Sequence, residues 1–354
     1  MVQLARRWSG IIMVLSVLVG SWLPTATVLA AGNSPAAASN DIGFSVAAHI
    51  PKNQINPKNS FFDLQMKPNQ VETLSTTIYN TTNRDIQVQM AIHTAYTNAN
   101  GSIEYVKPAQ QYDPSLKYPL SHLTKIEGPS TVTVPGSASK VVSVRVSMPS
   151  TAINGVLLGG WYFKRVDQPV TGTVKGTTNV QNDYSYVIGL RYANGKMPAP
   201  TVQLTSVAAG LYDYHRGIMV NLRNPRAIMI PNVTMTTTIT DANHVAVFNN
   251  VKQSGVQLAP NTRFEYPLLL GNTNLQAGRY HLHMVLQNKQ HRWQFDRDFT
   301  ITRAEARAYN RRAVDNKGLQ AWWLLVMGAL AMLVLVLILL GSYWLVKKRR
   351  QRTA

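Results

Sequence analysis

The chain has 354 residues, 35 of them Lys or Arg against 16 Asp or Glu, a formal net charge of +19, and no cysteine. The missing thiols exclude disulfides, thiolate nucleophiles and cysteine metal sites. The basic excess suits either contact with polyanions or plain solubility. At the N-terminus, Arg6 and Arg7 precede an apolar stretch from Ile11 to Val19 and the small-residue site Val28-Leu29-Ala30. That is the layout of a secretory signal peptide over 1–30, cleaved after Ala30 or Ala31. An uncleaved anchor fits less well, because the apolar core is short and Pro24 breaks the segment beyond it. Export without cysteine leans toward a bacterial surface. The polyanions available there are teichoic polymers and lipid head groups, not nucleic acid.

Period-two alternation dominates from residue 41. Over Asp85–Thr97 one face reads Ile86, Val88, Met90 and Ile92, the other Gln87, Gln89, Ala91 and His93. That is a half-buried strand. Val142, Val144, Val146 and Met148 alternate with Ser143, Arg145 and Ser147, and Leu74, Thr76 and Ile78 form a shorter case. Asn100-Gly101 suits a tight hairpin. Gly155 to Phe163 is apolar throughout and reads as a strand buried on both faces. A polar loop, Asp167–Asp183, leads to Tyr184–Leu190, and the two strands are expected to close a first domain over 41–192 as a hairpin. Ala193–Pro200 reads as a linker.

Seven further strands are expected: Thr201–Val207, Gly217–Arg223, Asn232–Thr240, Val245–Val251, Arg263–Leu270, Arg279–Leu286 and Arg292–Ile301. That number and spacing predict an immunoglobulin-like sandwich over 193–302. The predicted fold class is therefore an all-β ectodomain of two such sandwiches. Helix begins only afterwards. Thr302-Arg303-Ala304-Glu305 is a capping box opening a juxtamembrane helix over 303–319, a stalk whose Arg311, Arg312 and Lys317 suit anionic head groups. No charge occurs from Trp322 to Val346, a stretch flanked by Trp322, Trp323, Tyr343 and Trp344. A membrane helix is expected over 320–346. The tail 347–354, with Lys347, Lys348, Arg349, Arg350 and Arg352, is then cytoplasmic by the positive-inside rule, and the ectodomain extracellular in a single-pass cell-membrane topology.

Catalytic constellations are lacking: no Walker loop, no dinucleotide turn, no Gly-x-Ser-x-Gly. Asp296 and Asp298 alternate with Arg297 and read as an exposed ion-pair edge rather than a glycosidase pair. His281 and His283 share the solvent face of a strand, but two ligands fall short of a catalytic zinc site. No cofactor and no metal are expected. Trp161, Tyr162 and Phe163, with Tyr184, Tyr186 and Tyr192, are either core or a stacking platform for sugars.

The residues Asn53-Gln54, Phe62-Asp63-Leu64, Asn80, Ala95, Thr97-Asn98, Gly101, Tyr105 and Gly159-Gly160 resemble the N-terminal domain of WxL-interacting proteins. The stretches at 184–192, 220–233, 258–268, 277–286 and 293–302 resemble that family's second domain. The resemblance implies a surface protein of Gram-positive bacteria that binds peptidoglycan through its first domain and a host protein, such as an extracellular-matrix protein, through its second. It also implies partnership with surface proteins bearing a Trp-x-Leu (WxL) domain. The family defines no catalytic residue, so the expectation is a non-enzymatic scaffold on the cytoplasmic membrane. A wall-modifying enzyme of unrecognised type and a charge-driven adhesin are the alternatives. Gly101 and Gly159-Gly160 have conformational explanations. Asn53, Gln54, Asp63, Asn98 and Tyr105 are the expected ligand contacts, with the turn-stabilising habit of Asn and Asp as the competing explanation.

Overall fold

A computed structural model describes residues 43–167, 185–315 and 321–350. The signal peptide, most of the loop before β11, Tyr184, Lys317 and the tail from residue 351 lie outside the described residues. In chain order the first half contains β1 (Phe44–Ala48), β2 (Phe62–Gln65), β3 (Val71–Asn80), β4 (Ile86–Thr94), β5 (Tyr96–Thr97) and β6 (Ile103–Glu104). A single helical turn, α1 (Leu120–Leu123), comes next, and then β7 (Thr124–Glu127), β8 (Thr131–Val134), β9 (Ser139–Ser147), β10 (Gly155–Arg165) and β11 (Ser185–Asn194). One sheet has the order β1-β3-β9-β7 and the other β2-β11-β10-β4-β8.

The alternation read from the sequence sets which faces meet. Leu74, Ile78, Val144 and Val146 from one sheet and Ile86, Val88, Trp161, Phe163, Leu190 and Tyr192 from the other are all buried. The β10 and β11 strands pair antiparallel as expected, with Trp161 opposite Ile188 and Ile92. The β2 strand adds in parallel to β11, Asp63 opposite Arg191, an association its four residues do not signal. The helical turn α1 was likewise unexpected. Its Leu120 fills the space over Gly159, where a Cβ would come within 2.8 Å of the leucine methyl.

The second half holds all seven expected strands: β12 (Gln203–Tyr212), β13 (His215–Asn224), β14 (Ile230–Asp241), β15 (Ala246–Leu258), β16 (Thr262–Leu269), β17 (Gly278–Gln287) and β18 (Arg292–Ile301). They form a sheet β12-β13-β16 facing a sheet β15-β14-β17-β18. Val220, Leu222, Val233, Ile239, Leu282, Met284 and Leu286 close the core between them. Ala193 and Asn194 still belong to β11, so the connection between the sandwiches begins at Gly195. Up to Ile301 the described residues are therefore all-β, as two immunoglobulin-like sandwiches, apart from the turn α1.

The two sandwiches are joined through the β5–β6 hairpin. Gly101, at φ +73, makes the turn and lies against Val256 of β15. The buried Thr97 hydroxyl accepts from Ala259 N–H at 2.9 Å and donates to Gln257 C=O at 3.2 Å. Thr97 N–H donates to the Thr262 hydroxyl, and Gln257 N–H to Gly101 C=O at 2.7 Å. Nearby, Arg223 donates to the buried Asp113 carboxylate at 2.7 Å, and Val156 N–H reaches Ala227 C=O at 2.7 Å.

The helix α2 (Arg303–Arg312) carries the expected capping box: Glu305 N–H donates to the Thr302 hydroxyl at 3.1 Å, and Thr302 N–H to the Glu305 carboxylate at 2.8 Å. It is not a free stalk. Ala306 and Ala313 are buried, Tyr309 packs on the core, and Asn310 exchanges two 2.9 Å hydrogen bonds with the backbone of Leu275. Past the helix, Asp315 pairs with His215 and accepts from Arg216 N–H, and Val314 N–H donates to Tyr214 C=O. The final helix, α3 (Ala321–Arg350), includes Leu325–Trp344, long and apolar enough to cross a membrane.

Replacing Thr97 by Val keeps the shape but strips a buried amide and carbonyl of their partner, a loss of about 1–3 kcal/mol. Hydrogen exchange at the Ala259 amide should speed up accordingly while the core amides of each sandwich keep their protection. An Ala259 amide as slow as in the parent chain would contradict the assignment of Thr97 as the joint.

Candidate functional site

Of the five expected contact residues, Tyr105 lines a cleft on the first sandwich, and Asn53, Gln54 and Asp63 lie in or just before β2. Gln54 acts on backbone: its amide donates to Phe61 C=O at 2.8 Å, and its carbonyl oxygen accepts from Asp63 N–H at 3.0 Å. It thereby folds the loop 55–61 and presents Phe61. Asp63 is buried; its carboxylate accepts from the Arg191 guanidinium and from Asn59 at 3.2 Å. Asn53 donates to Glu72 at 2.7 Å, and its carbonyl oxygen Oδ1 is buried with no partner among the described residues. Tyr105 lies on the outer face of the β10–β11 pair. Asn98 is elsewhere, in the turn that docks on β15, where its side-chain oxygen accepts from the N–H groups of Asn100 and Ser102.

Tyr105 has room because Gly160 and Gly189 stand directly opposite each other across β10 and β11. A Cβ on Gly160 would come within 3.1 Å of Tyr105 and 2.7 Å of Val187. Two facing glycines remove side chains from this stretch of the sheet, so Tyr105 and Val187 close over Gly160 while Gly189 stays open to the cleft. Tyr105 lies along one wall, where burial raises its phenol pKa above the ordinary value. Its carbonyl accepts from the His93 ring at 3.0 Å, and that ring stacks on Tyr162. Phe61 rises over Gly189.

The result is a cleft of about 730 Å³ lined by Val46, Phe61, Tyr105, Tyr186, Val187 and Met229, with Arg191 at one end. Along one side runs a free sheet edge. The β2 strand covers β11 only from Leu190, and among the described residues no strand pairs with Tyr186–Gly189 on that side. Aromatic walls, unpaired main-chain groups and one charge suit an amphipathic polymer, which stacks and hydrogen-bonds at once. The charged groups at its end, Asp63 and Arg191, are bound to each other, which favours holding over proton transfer.

The aromatic run divides between core and cleft. Trp161, Phe163 and Tyr192 are core, while Tyr186 lines the cleft, edge-on to Phe44 at 5.1 Å. Phe61, Val187, Arg191 and Met229 were not singled out by sequence. Phe61 stands next to the Phe62-Asp63-Leu64 motif, and that adjacency was the available signal. In the second sandwich, Asp296 and Asp298 pair with the histidines across the strand rather than with arginines: His283 with Asp296 at 2.6 Å and His281 with Asp298 at 2.7 Å. Among the described residues no group of three or more potential ligands gathers for a metal ion.

The Asp298 and Asp296 carboxylates raise the His281 pKa above its ordinary 6.5. Because the folded value is raised, this pairing stabilises the sheet fully below about pH 6.5 and ceases to do so as pH rises through the folded-state pKa. An NMR titration should give a His281 midpoint above 6.5 that drops in Asp298→Asn. A midpoint unmoved by that change would rule out the pairing in solution.

The sequence matches the WxL Interacting Protein, peptidoglycan binding domain over residues 44–165 and the WxL Interacting Protein, host binding domain over residues 175–311. The second match begins ahead of β11, a strand that pairs into the first sandwich. No curated protein matches the chain. Among solved structures, the Escherichia coli chaperone DraB is similar at 16% identity and TM-score 0.26, covering 72% of this chain and 97% of its own. The CsuC–CsuE chaperone–tip adhesion subunit complex of Acinetobacter baumannii is similar at 10% identity and TM-score 0.32, covering 66% and 93%. Likenesses of this depth say nothing about function. The two matched domains, in that order and on these two sandwiches, make the chain a member of the WxL-interacting protein family.

Proposed function

We propose that this chain is a non-catalytic scaffold, fixed in the cell membrane by α3, that holds peptidoglycan with its first sandwich and a protein partner with its second. The observation that carries the reading is the aromatic cleft beside Gly189, whose Val46, Phe61 and Tyr105 wall lies in the stretch matching the peptidoglycan-binding domain, while its β11 wall lies in the stretch where the host-binding match begins. In this reading a glycan strand lies along the free edge of β11. Its sugar faces stack on Phe61 and Tyr105, and its amide and hydroxyl groups meet the unpaired backbone of Tyr186–Gly189. Gln54 and Asp63 position the walls, and Asn53, bonded to Glu72, holds the loop that precedes them. Asn98 serves the joint between the sandwiches. The protein partner, a WxL-domain surface protein or a host matrix protein, falls to the second sandwich, in keeping with its host-binding match. The ectodomain faces outward and the basic tail stays in the cytoplasm.

Co-sedimentation of the ectodomain (residues 31–318) with purified peptidoglycan tests this. Tyr105→Ala and Val187→Lys should each weaken retention about tenfold or more, as loss of a central buried contact does. Retention unchanged in both variants would move the site elsewhere. Retention that vanishes in moderate salt for the unmodified ectodomain would point to charge alone, since exposed charges are screened within about 10 Å at 0.1 M. No retention above a teichoic-acid-only control would remove the peptidoglycan claim.

A further inference from the structure

The arginines of α2 form a surface with no role in the fold. The helix turns Ala306, Tyr309 and Ala313 inward. Its opposite face reads Arg303, Ala304, Arg307, Ala308 and Arg311, with Arg312 at the flank. Arg303, Arg307 and Arg311 are spaced by four and stack along one side over about 12 Å. All four arginines are exposed. The carboxylates nearby are outnumbered: Asp315 is held by His215 and Arg216, and Glu305 in the helix cap and Asp213 at the β12–β13 hairpin tip face four arginines. That tip also displays Tyr214, the most exposed large hydrophobic side chain of the second sandwich at 66%.

Chain length fixes where this surface lies. The docked segment ends at Asp315 and α3 begins at Ala321. The intervening residues 316–320 span at most roughly 20 Å even fully extended. If α3 crosses a membrane, the C-terminal end of α2 and the Tyr214 hairpin are confined to that distance from the head groups. There, clustered cations attract anionic lipid, and an exposed tyrosine finds the interface it prefers.

We infer that the outward face of α2, with Tyr214, docks the second sandwich onto anionic phospholipid head groups, the guanidinium groups of Arg303, Arg307 and Arg311 pairing with lipid phosphates. This rests on the reading of α3 as a membrane span. Docking turns the tether into a fixed orientation, because α2 is bonded to the sandwich and cannot swivel alone. Three arginines at the surface favour an anionic over a neutral membrane by on the order of a hundredfold.

The absence of cysteine allows a single nitroxide label at Ala304→Cys, in the middle of the proposed face. The full chain is inserted into vesicles of phosphatidylcholine alone or of phosphatidylcholine with phosphatidylglycerol. Docking predicts that a water-soluble nickel relaxant reaches the label severalfold less well in the anionic vesicles. The protection should disappear in high salt and in the triple variant Arg303→Gln, Arg307→Gln, Arg311→Gln. Equal access in both vesicle types, with the chain still floating with the lipid, would overturn the docking and leave the span intact. A chain stripped from vesicles by alkaline carbonate would overturn the span and the docking with it. Protection that needs added teichoic acid would also overturn the proposal, since the partner would then be the polymer.

Discussion

The arrangement of the whole ectodomain hangs on a hydroxyl. Thr97 sits at the end of a two-residue strand in the first sandwich, buried against the second, and its oxygen both accepts from and donates to the backbone of the Gln257–Ala259 segment. A polar group taken out of water without partners costs a few kcal/mol, so a buried oxygen satisfied twice by one neighbour fixes that neighbour's register. Gly101 and the Asp113–Arg223 pair then close the same seam from either side. Two domains linked by a short segment ordinarily move relative to each other. Here the cleft on the first sandwich and the arginine face on α2 keep a set relation, because every element between them is bonded to the next.

Much of the fold could be read from local pattern. Alternation identified β4, β9 and the seven strands of the second sandwich, since burial on one face leaves a period of two wherever a sheet has one wet side. The capping box at Thr302 and the turn at Asn100-Gly101 were equally legible, because both depend on residues close in sequence. What escaped depends on distance. The β2 strand is four residues long and is a strand only because β11 lies beside it. The turn at Gly101 is plain, but its landing place on Val256 is not. Asp296 and Asp298 looked like partners for the neighbouring arginines until strand register set His283 and His281 opposite them.

The cleft was half legible for the same reason. Gly159-Gly160 announces a place where side chains must be absent, and Tyr105 and Asp63 were named on the motif that contains them. That Gly189 faces Gly160, and that Arg191 answers Asp63, depends on a pairing no local signal encodes. The aromatic run at 161–163 shows the limit of composition. Trp161 and Phe163 point into the core and Tyr162 points out, so the same three letters serve packing and surface by parity alone. The resulting surface is built for contact: aromatic walls, open backbone and a neutralised ion pair.

The parallel seam between β2 and β11 has a consequence for the order in which the protein folds. Asp63 and Arg191 are separated by 128 positions, and the strands they tie complete the first sandwich. That sheet is unfinished until almost two hundred residues of the chain are available, and contacts so distant in sequence form slowly. With no cysteine there is no covalent intermediate to hold a partly folded form. The growing chain must therefore wait with the edge of β10 uncovered, and the last strand of the first sandwich to arrive is the one that builds the cleft. The order of emergence makes the cleft a mark of a completed first sandwich: a chain that stops short of β11 lacks one of its walls.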